Sequence, residues 1–234
     1  MNRRRTVVVL AVVALLVGAA LGTYKLANSR TVMVAGDLVA RVDTDERVVA
    51  LTFDDGPSPT VAEELLSTLR NEGVIATFFL IGANVVEHPA SAQALATAGH
   101  QLGNHSFTHQ RMWFHTPGWY ADEIDRTNEA LRSIGYQRPL RFRPPYGKKL
   151  IGLPRALSSR DMTAVMWDVD PLDVGASTPQ AITEYVKDEV RPGSIVLLHP
   201  WNSQSVRASI GPVVRTLKAD GYRFVSVDQL LALR

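Results

Sequence analysis

Residues 48–58 read VVALTFDDGPS, and the rest of the chain is organised around this stretch. Its first six residues are apolar or β-branched, which predicts a buried strand. Asp54 and Asp55 follow at the strand's end, and Gly56-Pro57 then turns the chain. Neighbouring side chains of a strand point to opposite faces, but at such a turn both carboxylates can converge on one cleft. Two like charges held together favour a cation or a proton between them, so the pair indicates a functional site.

A structural interpretation of the same pair is also open. Asp54 and Asp55 could cap the helix predicted to begin near Thr60, because carboxylates accept hydrogen bonds from the free amides of a helix N-terminus. Residues further along the chain decide between the two interpretations.

The composition is that of a globular protein with a sizeable core, since 46% of the 234 residues are hydrophobic and 21% are charged. There is no cysteine, which excludes disulfides, thiol nucleophiles and cysteine-ligated metals. Any metal site must therefore use histidine and carboxylate.

The formal charge of +2 is concentrated before residue 31, where there are five basic residues and no acid. Residues 31–234 carry 20 basic and 23 acidic groups. Because nucleic-acid binding needs a basic surface to neutralise phosphates, we expect no nucleic-acid partner.

Residues 1–23 are predicted to be a signal anchor or a signal peptide. Three arginines at residues 3–5 precede the apolar run TVVVLAVVALLVGAALGT at 6–23. The run is short for a membrane span and long for a cleaved signal core, so both interpretations stay open, with an uncleaved anchor favoured. The arginines place the N-terminus in the cytoplasm and the following domain outside. Residues 24–45 are predicted to be a linker, with one strand at 31–34.

Strand-like and helix-like segments alternate from residue 46 to residue 234. We predict strands at 48–53, 76–81, 100–103, 140–142, 163–167, 194–198 and 222–227. We predict helices at 60–71, 88–98, 119–134, 150–160, 179–190 and 205–218. Right-handed crossovers between parallel strands place the helices outside the sheet. The predicted fold class is α/β, a distorted β/α barrel with about seven strands.

Several polar side chains share one position, just after a predicted strand: Asp54, Asp55, His105, Arg143, Asp173 and His199. In β/α barrels the carboxyl ends of the strands hold the active site. The shared position therefore predicts that these residues form one site.

Asp55, His105 and His109 are a candidate metal site. His105 and His109 are four residues apart, so on one helical turn their imidazoles can face a common point. Most such pairs are ordinary surface or core histidines, but Asp55 completes a set used by catalytic zinc sites that leave a position for water. The zinc-peptidase pattern HExxH is absent.

Asp54 and His199 are the candidate base and acid. Asp54 can take a proton from the attacking water, and a metal and Arg143 would keep it ionised. His199 can protonate a leaving amine if a carboxylate stabilises the imidazolium, with Asp173 the first candidate and Asp170 the second. Arg143 could instead form a surface salt bridge, and the two aspartates could be turn residues.

Five segments between residues 48 and 199 occur in a characteristic order: TFDDGPS, HSFTH, RFRPPYG, DPLDV and VLLH. They resemble the five motifs of polysaccharide deacetylases of the NodB-homology type, carbohydrate esterase family 4. The resemblance implies metal-dependent hydrolysis of N-acetyl, sometimes O-acetyl, groups on a glycan. It also implies a deformed β/α barrel, with residues 46–234 as the catalytic domain.

By the same resemblance, Asp54 is the base and Arg143 orients it. Asp55, His105 and His109 bind one divalent ion, with zinc favoured over cobalt, manganese or nickel.

The resemblance also assigns the other side of the cleft. The backbone N–H of Tyr146 would help to stabilise the oxyanion. His199 is the acid, Asp173 tunes it, and Leu198 would form a wall of the pocket for the acetyl methyl group.

One position departs from the family pattern. Many relatives carry tryptophan directly after the second aspartate of the fourth motif, where this chain has Val174. The departure puts the preferred acyl site, and so N- against O-acetyl preference, in doubt. Trp167 or Trp201 could supply the aromatic surface, or could belong to the core or rim.

The location predicts the substrate. A domain held outside the membrane meets the cell wall first, so N-acetylglucosamine units of peptidoglycan are favoured, with chitin oligomers and acetylated xylan open. We expect a monomer at the cell membrane, or a secreted protein if the leader is cleaved. A non-catalytic glycan-binding relative and a metallohydrolase of non-glycan amides are the alternatives. The intact base, ligands and acid argue against the first, and a narrow cleft without a sugar site would favour the second.

Overall fold

The structure is a computed structural model that describes residues 3–234. Within that range the α-helices are α1 Arg3–Asn28, α2 Pro59–Asn71, α3 Gly82–Glu87, α4 Pro89–Thr97, α5 Pro117–Ser133, α6 Gly152–Ser158, α7 Pro179–Glu189, α8 Gln204–Ala219 and α9 Val227–Leu231. The strands of the same range are β1 Leu38–Val39, β2 Val48–Asp54, β3 Thr77–Leu80, β4 Gln101–Asn104, β5 Ala164–Val165, β6 Ser194–Leu198 and β7 Arg223–Phe224.

All the strand pairs are parallel, as the alternation of strands and helices predicts. The main sheet has the order β4-β3-β2-β6, with β7 paired to the start of β2, and β1 pairs with β5. Phe142 forms one bridge to Asn104 of β4 and another to Ala164 of β5. Val169 forms a bridge to Val196 of β6. These bridges link the two edges of the sheet, although no continuous ladder closes a barrel within residues 3–234. The predicted α/β class is confirmed.

Several elements differ from the predictions. Residues 140–142 contribute only bridges, and residues 222–227 divide into the short strand β7 and the start of α9. The helix predicted at 88–98 is preceded by α3, and Pro89, which lacks an N–H, starts a new helix. The strand predicted at 31–34 is wrong, since the strand of this segment is β1, where β5 provides a partner.

Side chains alternate along the central strands and so separate two clusters. In β6, Ile195 and Leu197 belong to an inner cluster, whereas Val196 and Leu198 pack with the outer helices. β2 alternates in the same way, with its even-numbered residues inside. Its last residue, Asp54, therefore lies at the carboxyl end of the barrel interior.

Helix α1 is long and apolar enough over Leu10–Asn28 to cross a membrane, and only 6% of that window is buried. The C-terminal end of α1 and the segment that follows it contact the rest of the domain. The N–H of Lys149 donates to the carbonyl of Ala27 at 3.1 Å, and Arg30 pairs with Asp173. The boundaries at residues 23 and 45, and the fate of the leader, stay predictions.

Candidate active site

Arg143 fixes the candidate base at the end of β2. Its guanidinium is fully buried, and Nη1 donates to Asp54 Oδ1 and to Thr52 Oγ1, both at 2.7 Å. Nε and Nη2 donate to the carbonyls of Val165 and Met166 at 3.1 and 3.0 Å. Arg143 is therefore buried and paired with Asp54, and its interpretation as a surface salt bridge is wrong.

Opposing effects set the protonation of Asp54, which is 2% exposed. Burial acts to raise its pKa, but the positive charge of Arg143, aided by His105 and His199, holds the pKa below its ordinary value. Burial also lowers the pKa of Arg143, against the attraction of Asp54, yet an arginine remains protonated throughout the working range of a protein. Asp54 is therefore a carboxylate at neutral pH and competent as a base.

Asp55, His105 and His109 converge as predicted. One potential ligand atom from each lies within 4.8 Å of the others. Asp55 Oδ1 is 3.2 Å from His109 Nε2 and 3.7 Å from His105 Nε2. Ligands bound at about 2.0–2.1 Å to a tetrahedral zinc lie about 3.4 Å apart, so the spacing fits such an ion.

The hydrogen bonding of these residues also fits a cation. Asp55 Oδ1 is buried and receives no hydrogen bond from the residues described, which is costly without a positive partner. The carbonyl of Arg143 is 2.7 Å from His105 Nδ1, which places the proton there and leaves Nε2 free to bind a metal. Burial and the neighbouring His105 lower the pKa of His109, so it is a neutral imidazole at neutral pH. A nitrogen and carboxylate set of this kind suits several divalent metals.

Left-handed backbone conformations bring these groups together. Asp55 has a φ of 73° and Tyr146 a φ of 57°, both uncommon for residues with a side chain. The chain between His105 and His109 is a loop, with φ values of 63° at Ser106 and 58° at His109, so a loop and not a helical turn brings the two imidazoles together. Such conformations cost about 1–3 kcal/mol each and persist where surrounding contacts enforce them.

Glu123 supplies such contacts for the loop between His105 and His109, and sequence reasoning missed it. It lies on α5, is 2% exposed, and accepts hydrogen bonds from the N–H groups of Phe107 and Thr108 at 2.9 and 2.8 Å. Asn104 Oδ1 accepts from the Ser106 N–H at 2.8 Å. The sequence does contain a sign that Glu123 is buried. Glu123 is three residues after Tyr120, so the two side chains lie on the same, buried face of α5.

His199 lies across the cleft, and its Nδ1 is buried without a hydrogen-bond partner among residues 3–234. Asp173 accepts hydrogen bonds from Nη1 and Nη2 of Arg30, both at 2.7 Å. Asp170 is buried and accepts the N–H of Leu172 at 2.9 Å. Burial raises the pKa of Asp170, and the charge of His199 acts in the opposite direction. Both carboxylates line the cleft with His199, and the assignment of Asp173 as its tuning partner stays a prediction.

The cleft has a volume of about 500 Å³, and its apolar wall differs from the prediction. Leu197 lines it, whereas Leu198 points to the outer helices, because neighbouring residues of β6 face opposite sides. Trp167 also lines the cleft, while Trp201 packs against Gly56. Val174 is exposed on the surface.

Comparisons with known proteins identify the family of this chain. The polysaccharide deacetylase family model matches residues 41–165. The peptidoglycan-N-acetylmuramic acid deacetylase PdaC of Bacillus subtilis is 32% identical over 190 residues, which cover 81% of this chain and 40% of PdaC. A solved structure of PdaC has a TM-score of 0.74 at 30% identity, covering 82% of this chain and 93% of that one.

Two further relatives extend the comparison. A peptidoglycan-N-acetylglucosamine deacetylase of Bacillus cereus is 32% identical over 206 residues, covering 84% of this chain and 93% of the relative. A solved CE4 family pseudoenzyme of Bacillus anthracis has a TM-score of 0.77 at 28% identity, covering 83% of this chain and 69% of that one. The chain spans less than half the length of PdaC and nearly all of the Bacillus cereus protein. This chain belongs to the polysaccharide deacetylase family, carbohydrate esterase family 4.

Proposed function

We propose that this chain is a metal-dependent deacetylase of a cell-surface polysaccharide, with N-acetylglucosamine-type units of peptidoglycan as its substrate. One observation carries the proposal: the Asp54–Arg143 pair and the set of Asp55, His105 and His109 share one cleft. The names of relatives from three species support peptidoglycan as the substrate. Those names include both N-acetylglucosamine and N-acetylmuramic acid, so they support amide hydrolysis more strongly than the choice of sugar.

The proposed roles follow from charge and position. Asp55, His105 and His109 would hold a divalent ion, which when bound would supply a Lewis acid that activates water for attack. Asp54, kept ionised and oriented by Arg143, accepts the proton of the attacking water. The remaining roles fall to residues across the cleft.

On that side, the Tyr146 N–H donates to the developing oxyanion. His199 then gives a proton to the leaving amine, so the product is a free amino sugar and acetate. Asp170 or Asp173 would stabilise the protonated imidazole through its negative charge.

A glycan-binding protein without turnover is the second candidate, because one structural relative is named a pseudoenzyme. This chain retains the buried base, its arginine and the three candidate ligands, which favours catalysis. We also propose that α1 anchors the protein in the cell membrane with the catalytic domain outside. The protein would act as a monomer.

Acetate release by the purified full chain in detergent tests the proposal. Peptidoglycan, chitin oligomers and acetylated xylan are compared, with chelator and with zinc, cobalt, manganese or nickel restored. The full chain is used because Ala27 and Arg30 contact the barrel domain.

Asp54→Asn keeps the shape of the side chain but removes its basicity. We expect acetate release to fall by about 10²- to 10⁴-fold, the typical contribution of a general base, with metal content retained. A fully active Asp54→Asn enzyme would refute the assignment of the base. Acetate release that is unaffected by chelator would refute the requirement for metal.

A further inference from the structure

We propose that Arg111 and Lys148 form a binding site, at the rim of this cleft, for a carboxylate carried by the glycan. The inference rests on the proposed function and deepens it, because it names the chemical class of glycan that the cleft accepts. Nothing in the family motifs identified above includes either residue.

The backbone brings the two cations to the same rim. Met112 and Lys149 form a parallel bridge, which aligns the segment after His109 with the segment after Tyr146. Arg111 and Lys148, one residue earlier on each segment, both line the cleft. The Arg111 guanidinium lies 4.9 Å from the centre of the Tyr146 ring. The pair therefore lies beside the residue whose N–H we assign to the oxyanion.

The two side chains also differ from the other cations of the cleft. Arg143 is paired with Asp54, and Arg30 is paired with Asp173. In the part of the chain that the structure describes, neither Arg111 nor Lys148 has a carboxylate within 4 Å. The Lys148 ammonium instead donates to the neutral side chain of Asn28.

This arrangement leaves two adjacent positive charges facing the cleft. Burial, and in smaller part the nearby Arg111, lower the pKa of Lys148, as expected where a cation lacks an anion. Residues 31–234 as a whole carry more acids than bases, so the positive rim is a local feature. A bound anion would relieve the repulsion between the two side chains.

A carboxylate is the anion that fits best. A guanidinium binds carboxylates through two parallel N–H groups, and an ammonium adds a further charge-assisted hydrogen bond. Chitin oligomers carry no carboxylate. Peptidoglycan does, on the lactyl ether of a muramic acid that lacks a stem peptide, and otherwise on the stem peptide itself. The rim therefore favours a glycan that contains muramic acid over a neutral one.

Isothermal titration calorimetry on the full chain in detergent tests the site. Chelator is present so that no turnover accompanies binding. The probes are a tetrasaccharide of alternating N-acetylglucosamine and N-acetylmuramic acid, the same molecule with its lactyl carboxylates converted to amides, and the N-acetylglucosamine tetrasaccharide. We expect the carboxylate form to bind at least about tenfold more tightly than the amide form, the scale of hydrogen bonds to a charged group. Added salt should reduce the difference.

Substitutions assign the effect to the two residues. Arg111→Gln and Lys148→Gln should each reduce the ratio of the two affinities, and the double variant should bring it close to one. Arg70→Gln is the matched control, since Arg70 is an exposed arginine on α2 outside the cleft, and it should leave the ratio unchanged.

A further probe, the same tetrasaccharide with stem peptides attached to its muramic acids, separates the two sources of carboxylate. If the preference appears only when the stem peptide is attached, the site is supported and its ligand is a peptide carboxylate. Equal affinity for all probes, or no binding of any carboxylate form, overturns the proposal. A preference that survives the double substitution also overturns it. Because binding is measured without turnover, failure to release acetate is a separate result that bears only on the proposed function.

Discussion

A buried histidine lies at each end of strand β4, and the two have different surroundings. His100 precedes the strand and His105 follows it, and they are 3% and 2% exposed. His100 Nδ1 accepts the N–H of Ala76 at 3.2 Å, and no charged side chain shifts its protonation. His105 Nε2 lies 3.6 Å from a carboxylate oxygen of Asp54 and 3.7 Å from one of Asp55.

The difference shows that burial alone does not make a histidine functional. At the amino end of the barrel, burial lowers the pKa of His100 to about 4, so the ring is a neutral part of the core. At the carboxyl end, inward-facing Asp54 and the turn at Asp55 surround His105 with negative charge. The same residue type is therefore structural at one end and a candidate ligand at the other, in agreement with the division of roles in β/α barrels.

The largest expected effect is at the carboxyl end. His105→Gln removes a candidate ligand, so bound metal should be lost and acetate release should fall by about 10²- to 10³-fold or more, the size of losing a principal electrostatic stabiliser. Metal analysis and an acetate assay measure both changes. His100→Gln is the control, and we expect it to keep metal and activity. Equal losses in the two variants would contradict the division between the ends.

The next effect concerns the charge balance near His105. Arg143→Met leaves Asp54 buried without its partner, which should lower the free energy of unfolding by about 3–5 kcal/mol in metal-free protein. Chemical denaturation followed by circular dichroism measures the change. Adding Asp54→Asn should recover part of the loss, because the double variant contains no buried unpaired charge. If the single and double variants were equally unstable, the loss would come from packing.

A smaller effect, dependent on pH, is expected at the amino end. As pH falls below the ordinary pKa of 6.5, the unfolded chain protonates His100, while the folded chain resists until about pH 4. Stability should therefore decrease as pH falls through this window, by up to about 3 kcal/mol for this group.

The matched variant is again His100→Gln, whose amide can accept the same backbone hydrogen bond but does not titrate in this range. It should flatten the dependence of unfolding free energy on pH between about 6.5 and 4. An unchanged slope would show that other groups cause the decrease.

The smallest effect concerns the acid side of the cleft. Asp170→Asn and Asp173→Asn each remove one negative charge near His199, and loss of the true partner should lower kcat by roughly fivefold, equivalent to about 1 kcal/mol. The alkaline limb of the pH–rate profile should also move to lower pH in that variant. Arg30→Gln serves as the comparison, because it releases Asp173 without removing its charge. If neither aspartate variant moves the profile, neither carboxylate tunes the acid.

The site was predictable where acidic residues or histidines directly follow a predicted strand. Asp54 and Asp55 follow an evident strand, and both lie beside His105, with Asp55 also beside His109. The role of Leu198 was misplaced by one residue, because sequence alone does not tell which face of β6 is inside.

Other features depend on contacts between distant residues. Glu123 supports the loop between His105 and His109 by accepting hydrogen bonds from residues 15 and 16 positions earlier in the chain. Arg30 pairs with Asp173, which is 143 residues away. β1 forms where β5 offers a partner, and not where the local composition suggests a strand. A local pattern contains no information on such pairings.

The sequence by itself determined the α/β alternation, the lack of cysteine ligands, and the acids and histidines that follow the strands. These depend on residue type and local spacing, which the chain carries in any conformation. Only the tertiary structure decided which neighbouring residue faces inward, which carboxylate is paired, and which cations line the cleft. Those properties depend on which distant groups share one low-dielectric space, and folding alone brings them together.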